Sequence, residues 1–153
     1  MSIPPHITKI LDKKSTDIFQ GSKSNCFWAT KYFFEPTSFP PQSMNGNEIL
    51  MFMVNNFTQV DKPEEHDVFI IWGSSDPKLS PNKIDIQYLS TYPEGFPFGL
   101  VVEHSGVYVE GGKVFQKASP NEKDQFQVIS KDLAFAPYEK LSWVRQTYHR
   151  KKL

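Results

Sequence analysis

Residues 99–117, GLVVEHSGVYVEGGKVFQK, constrain the fold more than any other part of this chain. β-Branched and aromatic residues crowd the first ten positions, and such side chains suit a pleated, half-buried surface. Gly111 and Gly112 follow, a pair able to take the left-handed conformations of a tight hairpin turn. Residues 113–117 then return as a second strand. Alternation puts Val102, His104, Gly106 and Tyr108 on one face, with Val101, Glu103, Ser105, Val107 and Val109 on the other. A chain containing this hairpin is built around an antiparallel sheet.

The rest of the sequence divides in two. Ile7, Ile10 and Leu11 recur at helical spacing after Pro4 and Pro5, which suit a first helical turn. A loop at 21–25 ends in a helix cap, Ser24 or Asn25, and a helix over 26–34 follows. Three prolines in 35–42 stop it. Asn45 or Asn47 caps a further helix over 48–57, so the first sixty residues read as helical. Beyond them, 67–72 (DVFIIW) is a short apolar run expected as a buried strand. Residues 84–89 (IDIQYL) alternate like a half-buried strand, and 126–129 and 141–148 look like two more. A short helical segment fits 131–135. Helices first and a strand meander after them predict an α+β fold, one domain over 1–153, with N-terminal helices packed on an antiparallel β-sheet.

Composition narrows the function classes. Lys plus Arg equals Asp plus Glu at 17 each, so bulk charge draws the chain to neither nucleic acid nor an anionic membrane. The closing HRKKL reads as a solvated basic end. No apolar run approaches the ~20 residues of a membrane span. The first residues lack the basic and apolar regions of a secretory signal, so a cytoplasmic start is expected, with any export by a signal-independent route. A single cysteine cannot form an internal disulfide.

That cysteine, Cys26, stands directly after the predicted cap. The first turn of a helix favours negative charge through unpaired N–H groups, so a lowered thiol pKa is expected there. His104 interrupts the long strand, and Gln116 lies twelve residues later across the Gly-Gly turn, within diagonal reach on the same face. A thiol, an imidazole to take its proton and an amide to hold the imidazole tautomer make a catalytic triad, if the helices pack on the face that His104 presents. The Cys26 backbone N–H is then placed to stabilise an oxyanion.

The stretches NCFWATKYF, EEHDVFIIW, HSGVYVEGGKVFQKAS, FQVISKDL and SWVRQTY, in that order, resemble the NlpC/P60 superfamily of papain-like cysteine peptidases. The resemblance implies Cys26 as nucleophile, His104 as base and Gln116 as the third polar residue. It also implies cleavage of amide bonds in peptidoglycan stem peptides, with neither metal nor cofactor. An inhibitor or immunity protein is the expected partner if the chain is a delivered toxin. A phage-type lysin and a recycling amidase are the other settings. The chain departs from the family in having N-C-F-W for D-C-S-G, His66 where glycine is common, and a longer 73–98 connection. An acyltransferase or deamidase on the same triad is the alternative, and an inactive binding module of the same fold is the non-enzymatic one.

Other residues carry less. Glu64, Glu65, His66 and Asp67 alternate faces and make a poor metal site. Glu103 is expected to point away from His104, His6 and His149 to be exposed near the ends, and Asn25 to be a plain cap. Trp28 and Trp72 are expected in the core, while Phe96, Phe98 and Tyr108 are candidates to line a groove.

Overall fold

A computed structural model describes residues 3–12, 25–38, 43–92, 96–118 and 125–153. Among those residues, five α-helices, α1 (Pro5–Leu11), α2 (Cys26–Phe34), α3 (Gly46–Asn56), α4 (Ile86–Leu89) and α5 (Lys131–Phe135), accompany six strands. These are β1 (Phe57–Val60), β2 (Val68–Ser74), β3 (Leu100–Val109), β4 (Lys113–Lys117), β5 (Phe126–Ser130) and β6 (Val144–Lys151). They form one antiparallel sheet in the order β1-β6-β2-β3-β4-β5, so the fold is α+β as expected. The sequence loop at 21–24 and residues 93–95 of the next connection lie outside the described residues. No helix among the described residues is long and apolar enough to cross a membrane.

β2 shows why DVFIIW is apolar throughout. Val68, Ile70 and Trp72 join the large core beneath the N-terminal helices, while Phe69 and Ile71 join a smaller core on the opposite face, under α5. A strand covered on both faces has no polar side to alternate with. The main core brings Ile7, Trp28, Phe33, Ile49 and Met53 against Val107 and Phe115 of the hairpin. α3 begins with a capping box, in which Asn45 Oδ1 accepts from the Glu48 N–H at 2.8 Å and Glu48 Oε1 accepts from the Asn45 N–H at 3.1 Å.

Three expectations fail. Helix α3 ends at Asn56, and residues 57–60, read as helical, form the edge strand β1 with Phe57 fully buried. Residues 84–89 are no strand. The Gln59 side chain donates to the Ile84 carbonyl (2.7 Å) and accepts from the Ile86 N–H (3.1 Å), taking the groups a ladder would use. Asp85 then caps the short α4, which buries Ile86 and Leu89. The strand expected at 141–148 is displaced to Val144–Lys151, and it lies between β1 and β2. The basic HRK segment is therefore an internal strand. Arg150 donates to Asp67 through Nε (3.1 Å) and Nη2 (2.8 Å).

Candidate active site

Asn25 is the cap that starts α2: its Oδ1 accepts from the Trp28 N–H at 3.0 Å, and its Nδ2 donates to the Met44 carbonyl at 2.5 Å. The amide is spent on structure, as the plain-cap expectation held. Cys26 therefore stands at the first helical position, only 8% exposed. Its carbonyl accepts from the Thr30 hydroxyl (3.0 Å) and the Ser105 hydroxyl (3.3 Å), and those two hydroxyls lie 2.7 Å apart. Ser105 is the residue after His104, so the helix start is fastened to the strand next to that histidine.

The thiol departs from expectation. Burial pushes it up to about 11, against the pull of the backbone N–H groups of Ser105, Phe27 and Cys26 itself and of the Lys117 charge. Desolvation of a charged form outweighs the helix N-terminus here. At neutral pH Cys26 is a protonated thiol.

His104 departs from the facing that alternation predicts. The β2–β3 ladder pairs Ile71 with His104 but Trp72 with Val102, which leaves Glu103 as a β-bulge. Val102 is thereby turned into the helix-side core, against the start of α3 at Gly46. His104 stays on the other face, where its ring meets Phe69 (5.7 Å) and Tyr138 (5.1 Å). The helices thus pack on the Ser105 and Val107 face, and the facing expected for thiol and imidazole is wrong. The Glu103 expectation also fails. Its carboxylate lies over Gly73, with Oε1 2.6 Å from where a Cβ would stand, on the same face as His104. The β3–β4 ladder runs only from Val107↔Phe115 to Val109↔Lys113. Residues 104–106 are free of it, and the Ser105 N–H turns to the Cys26 thiol instead. Cys26 meets β3 at Ser105, just beyond the end of the β3–β4 ladder.

Gln116 completes the group. Its Oε1 lies 2.5 Å from His104 Nε2, and both residues are buried, at 3% and 1% exposure. An amide oxygen only accepts, so the proton of the neutral imidazole sits on Nε2. Nδ1 is left as a bare acceptor, buried and without a hydrogen-bond partner among the described residues. Burial pushes the His104 pKa down to about 4, although the Gln116 bond pulls it up. Gly106 makes room for this arrangement, because a Cβ there would come within 2.6 Å of the Phe69 ring and 2.8 Å of the Phe115 carbonyl.

No family model, curated protein or solved structure matches this chain. The site therefore rests on its own geometry.

The remaining candidates sort themselves by contact. Asp67 is 2% exposed and engaged by Arg150 and the Glu64 N–H (2.7 Å), so its carboxylate serves structure. His66 has φ +71°, the left-handed conformation that glycine favours, at the position where the resembled family commonly has Gly. His149, expected at an exposed end, is fully buried and lies 2.8 Å from the Thr147 hydroxyl, which in turn accepts from Trp72 Nε1 at 2.9 Å. His6 is half-buried, its Nε2 3.0 Å from the carbonyls of Tyr32 and Phe33. Trp28 and Trp72 are core residues, at 2% and 0% exposure, as is Tyr108 at 9%; Phe98 is exposed. Sequence reasoning missed Thr30, Ser105 and Tyr138. Ser105 alone left a signal, a hydroxyl in a row of valines.

Proposed function

We propose that the chain is a papain-like cysteine hydrolase of the NlpC/P60 type, with Cys26 as nucleophile, His104 as base and Gln116 as the residue that orients it. The observation that supports this best is the tautomer. Gln116 Oε1 accepts a hydrogen bond from Nε2–H, which leaves the buried Nδ1, unpartnered among the described residues, as the ring's basic nitrogen. In the reaction, Cys26 Sγ attacks an amide carbonyl as Nδ1 removes the thiol proton. The tetrahedral intermediate collapses, the C–N bond breaks, and Nδ1 returns the proton to the departing amine. Water then adds to the thioester with Nδ1 as base, releasing the acid and restoring the thiol. In this reading the Cys26 backbone N–H stabilises the developing oxyanion.

A neutral pair at rest makes the proton transfer part of the attack, as in a Ser-His system, and no stored ion pair precedes it. The substrate class follows from the resemblance: an amide in a peptidoglycan stem peptide. Burial of both reacting groups favours a second reading, an acyltransferase or deamidase in which a bound acceptor replaces bulk water. Incubation of purified peptidoglycan with the wild-type protein and with Cys26→Ala separates these. Mass spectrometry is expected to find newly cleaved stem peptides with the wild type alone. Absence of any cleaved bond removes the cell-wall assignment and leaves the acyl-transfer reading.

A further inference from the structure

One ring in the molecule has a place that packing alone does not require. Tyr138 ends the 3₁₀ turn Ala136–Tyr138 that follows α5, and its ring lies parallel to the His104 imidazole, at 5.1 Å and 14°. The segment carrying it is tied at several points. The Lys131 N–H donates to the Gly112 carbonyl (3.1 Å), Ser130 caps α5 through the Leu133 N–H (3.3 Å), and the Phe135 ring meets Phe69 edge-on at 5.0 Å. Phe69 itself touches His104 from β2. The imidazole is thus held at Nε2 by Gln116 and along its rings by two aromatic side chains from different elements.

We propose that Tyr138 is the positioning residue of the base: its ring clamps the His104 imidazole so that Nε2 stays on Gln116 and Nδ1 stays the ring's free acceptor. The inference rests on the assignment of His104 as base but not on any substrate. A ring turned over about its χ2 angle puts Cε1 where Nε2 was and Cδ2 where Nδ1 was, so it loses the Gln116 bond that fixes its tautomer and presents no acceptor in place of Nδ1. Tyr138 also shields the ring from water, and burial is what holds His104 near 4. The titratable groups around His104 among the described residues are Cys26 from α2, Glu103 on its own strand and the Tyr138 phenol. β2 and β4 present the uncharged Phe69, Ile71 and Gln116, and β4 also carries the buried Lys117, whose charge acts on Cys26. The phenol feels both Cys26 and Glu103, which sets it among the reacting groups.

The test reads the imidazole directly. In histidine-labelled protein, with His104→Asn supplying the assignment, the His104 ring is titrated by NMR in the wild type and in Tyr138→Phe, Tyr138→Leu and Tyr138→Ala. Tyr138→Phe is expected to keep the wild-type midpoint and the single Nε2–H tautomer. Tyr138→Leu and Tyr138→Ala are expected to move the midpoint up toward the ordinary 6.5 and to mix the tautomers. A ring whose midpoint and tautomer survive Tyr138→Leu overturns the clamp, as does a Tyr138→Phe protein that behaves like the leucine variant. Because Tyr138→Leu keeps apolar bulk, the comparison stands even where Tyr138→Ala fails to fold. An absence of cross-relaxation between the Tyr138 and His104 rings in the wild type overturns it too. If the titration behaves as expected while no substrate is cleaved, the hydrolase reading fails and the clamp remains.

Discussion

Two buried histidines should make this fold labile in mild acid. Burial pushes His104 and His149 each down to about 4 from an ordinary 6.5, with Gln116 and Asp67 respectively opposing the shift. Both are therefore neutral in the folded chain at pH 6, where the unfolded chain holds protons on them. A depressed folded pKa contributes stability that is complete above 6.5 and is lost as pH falls from 6.5 to 4. At about 1.4 kcal/mol per unit, each histidine withdraws roughly 3 kcal/mol over that window. The sum is large beside the ~5–15 kcal/mol of a typical domain. Urea unfolding followed by tryptophan fluorescence, in steps from pH 7.0 to 5.0, keeps clear of most carboxylate titration. The slope should approach two protons, about 2.7 kcal/mol per pH unit, near pH 5. His104→Asn and His149→Asn should each remove one of them. A stability that stays flat between pH 7 and 5 would refute the argument, since it requires both imidazoles to be as solvated in the fold as outside it.

The thiol gives an opposite prediction. A folded pKa of about 11 against an ordinary 9.0 lowers the thiolate fraction at pH 7.5 about 100-fold, and the greater nucleophilicity of a more basic thiolate returns roughly tenfold. Iodoacetamide should therefore label native Cys26 at least about tenfold more slowly than the urea-unfolded chain, read as the intact-mass adduct on the only cysteine. Faster labelling of the native protein would mean that an ion pair forms. Gly106→Ala should cost about 1–3 kcal/mol in urea unfolding, because the new methyl meets the Phe69 ring and the Phe115 carbonyl together. Unchanged stability there would show that Phe69 is free to move away from His104.

Much of this architecture is legible in the chain because local chemistry agrees with the tertiary arrangement. The Gly-Gly hairpin, the capped start of α2 and the two-sided burial of β2 all leave local marks: turn residues, an Asn before an apolar helix, an uninterrupted apolar run. What escapes is decided between distant segments. The Glu103 bulge reverses the face of Val102 and lets Glu103 join His104, yet nothing in VVEHSG distinguishes it from regular alternation. The 84–89 segment alternates like a strand, and only the Gln59 side chain, from another element, takes its hydrogen bonds away. His149 looks terminal and becomes central because β6 slips between two earlier strands. At the site, His104 and Gln116 meet as predicted, while Cys26 joins the same strand one residue on, at Ser105. Tyr138 had no signal at all, since its partner lies 34 positions away on another element.

The place of β6 also sets an order of events during synthesis. Among the described residues, β1 has β6 as its sole sheet neighbour, and β6 follows the other strands in the chain. As the nascent chain emerges, β2, β3, β4 and β5 can zip in sequence, each onto the one before it. β1 must wait without a ladder, and β2 must keep one edge bare, until residues 144–151 arrive and join both at once. That closing step brings together residues about ninety positions apart, a long loop to close and a slow contact to make. During the wait the open edge of β2, whose residues 68–72 are all apolar, is the surface most open to capture by another chain.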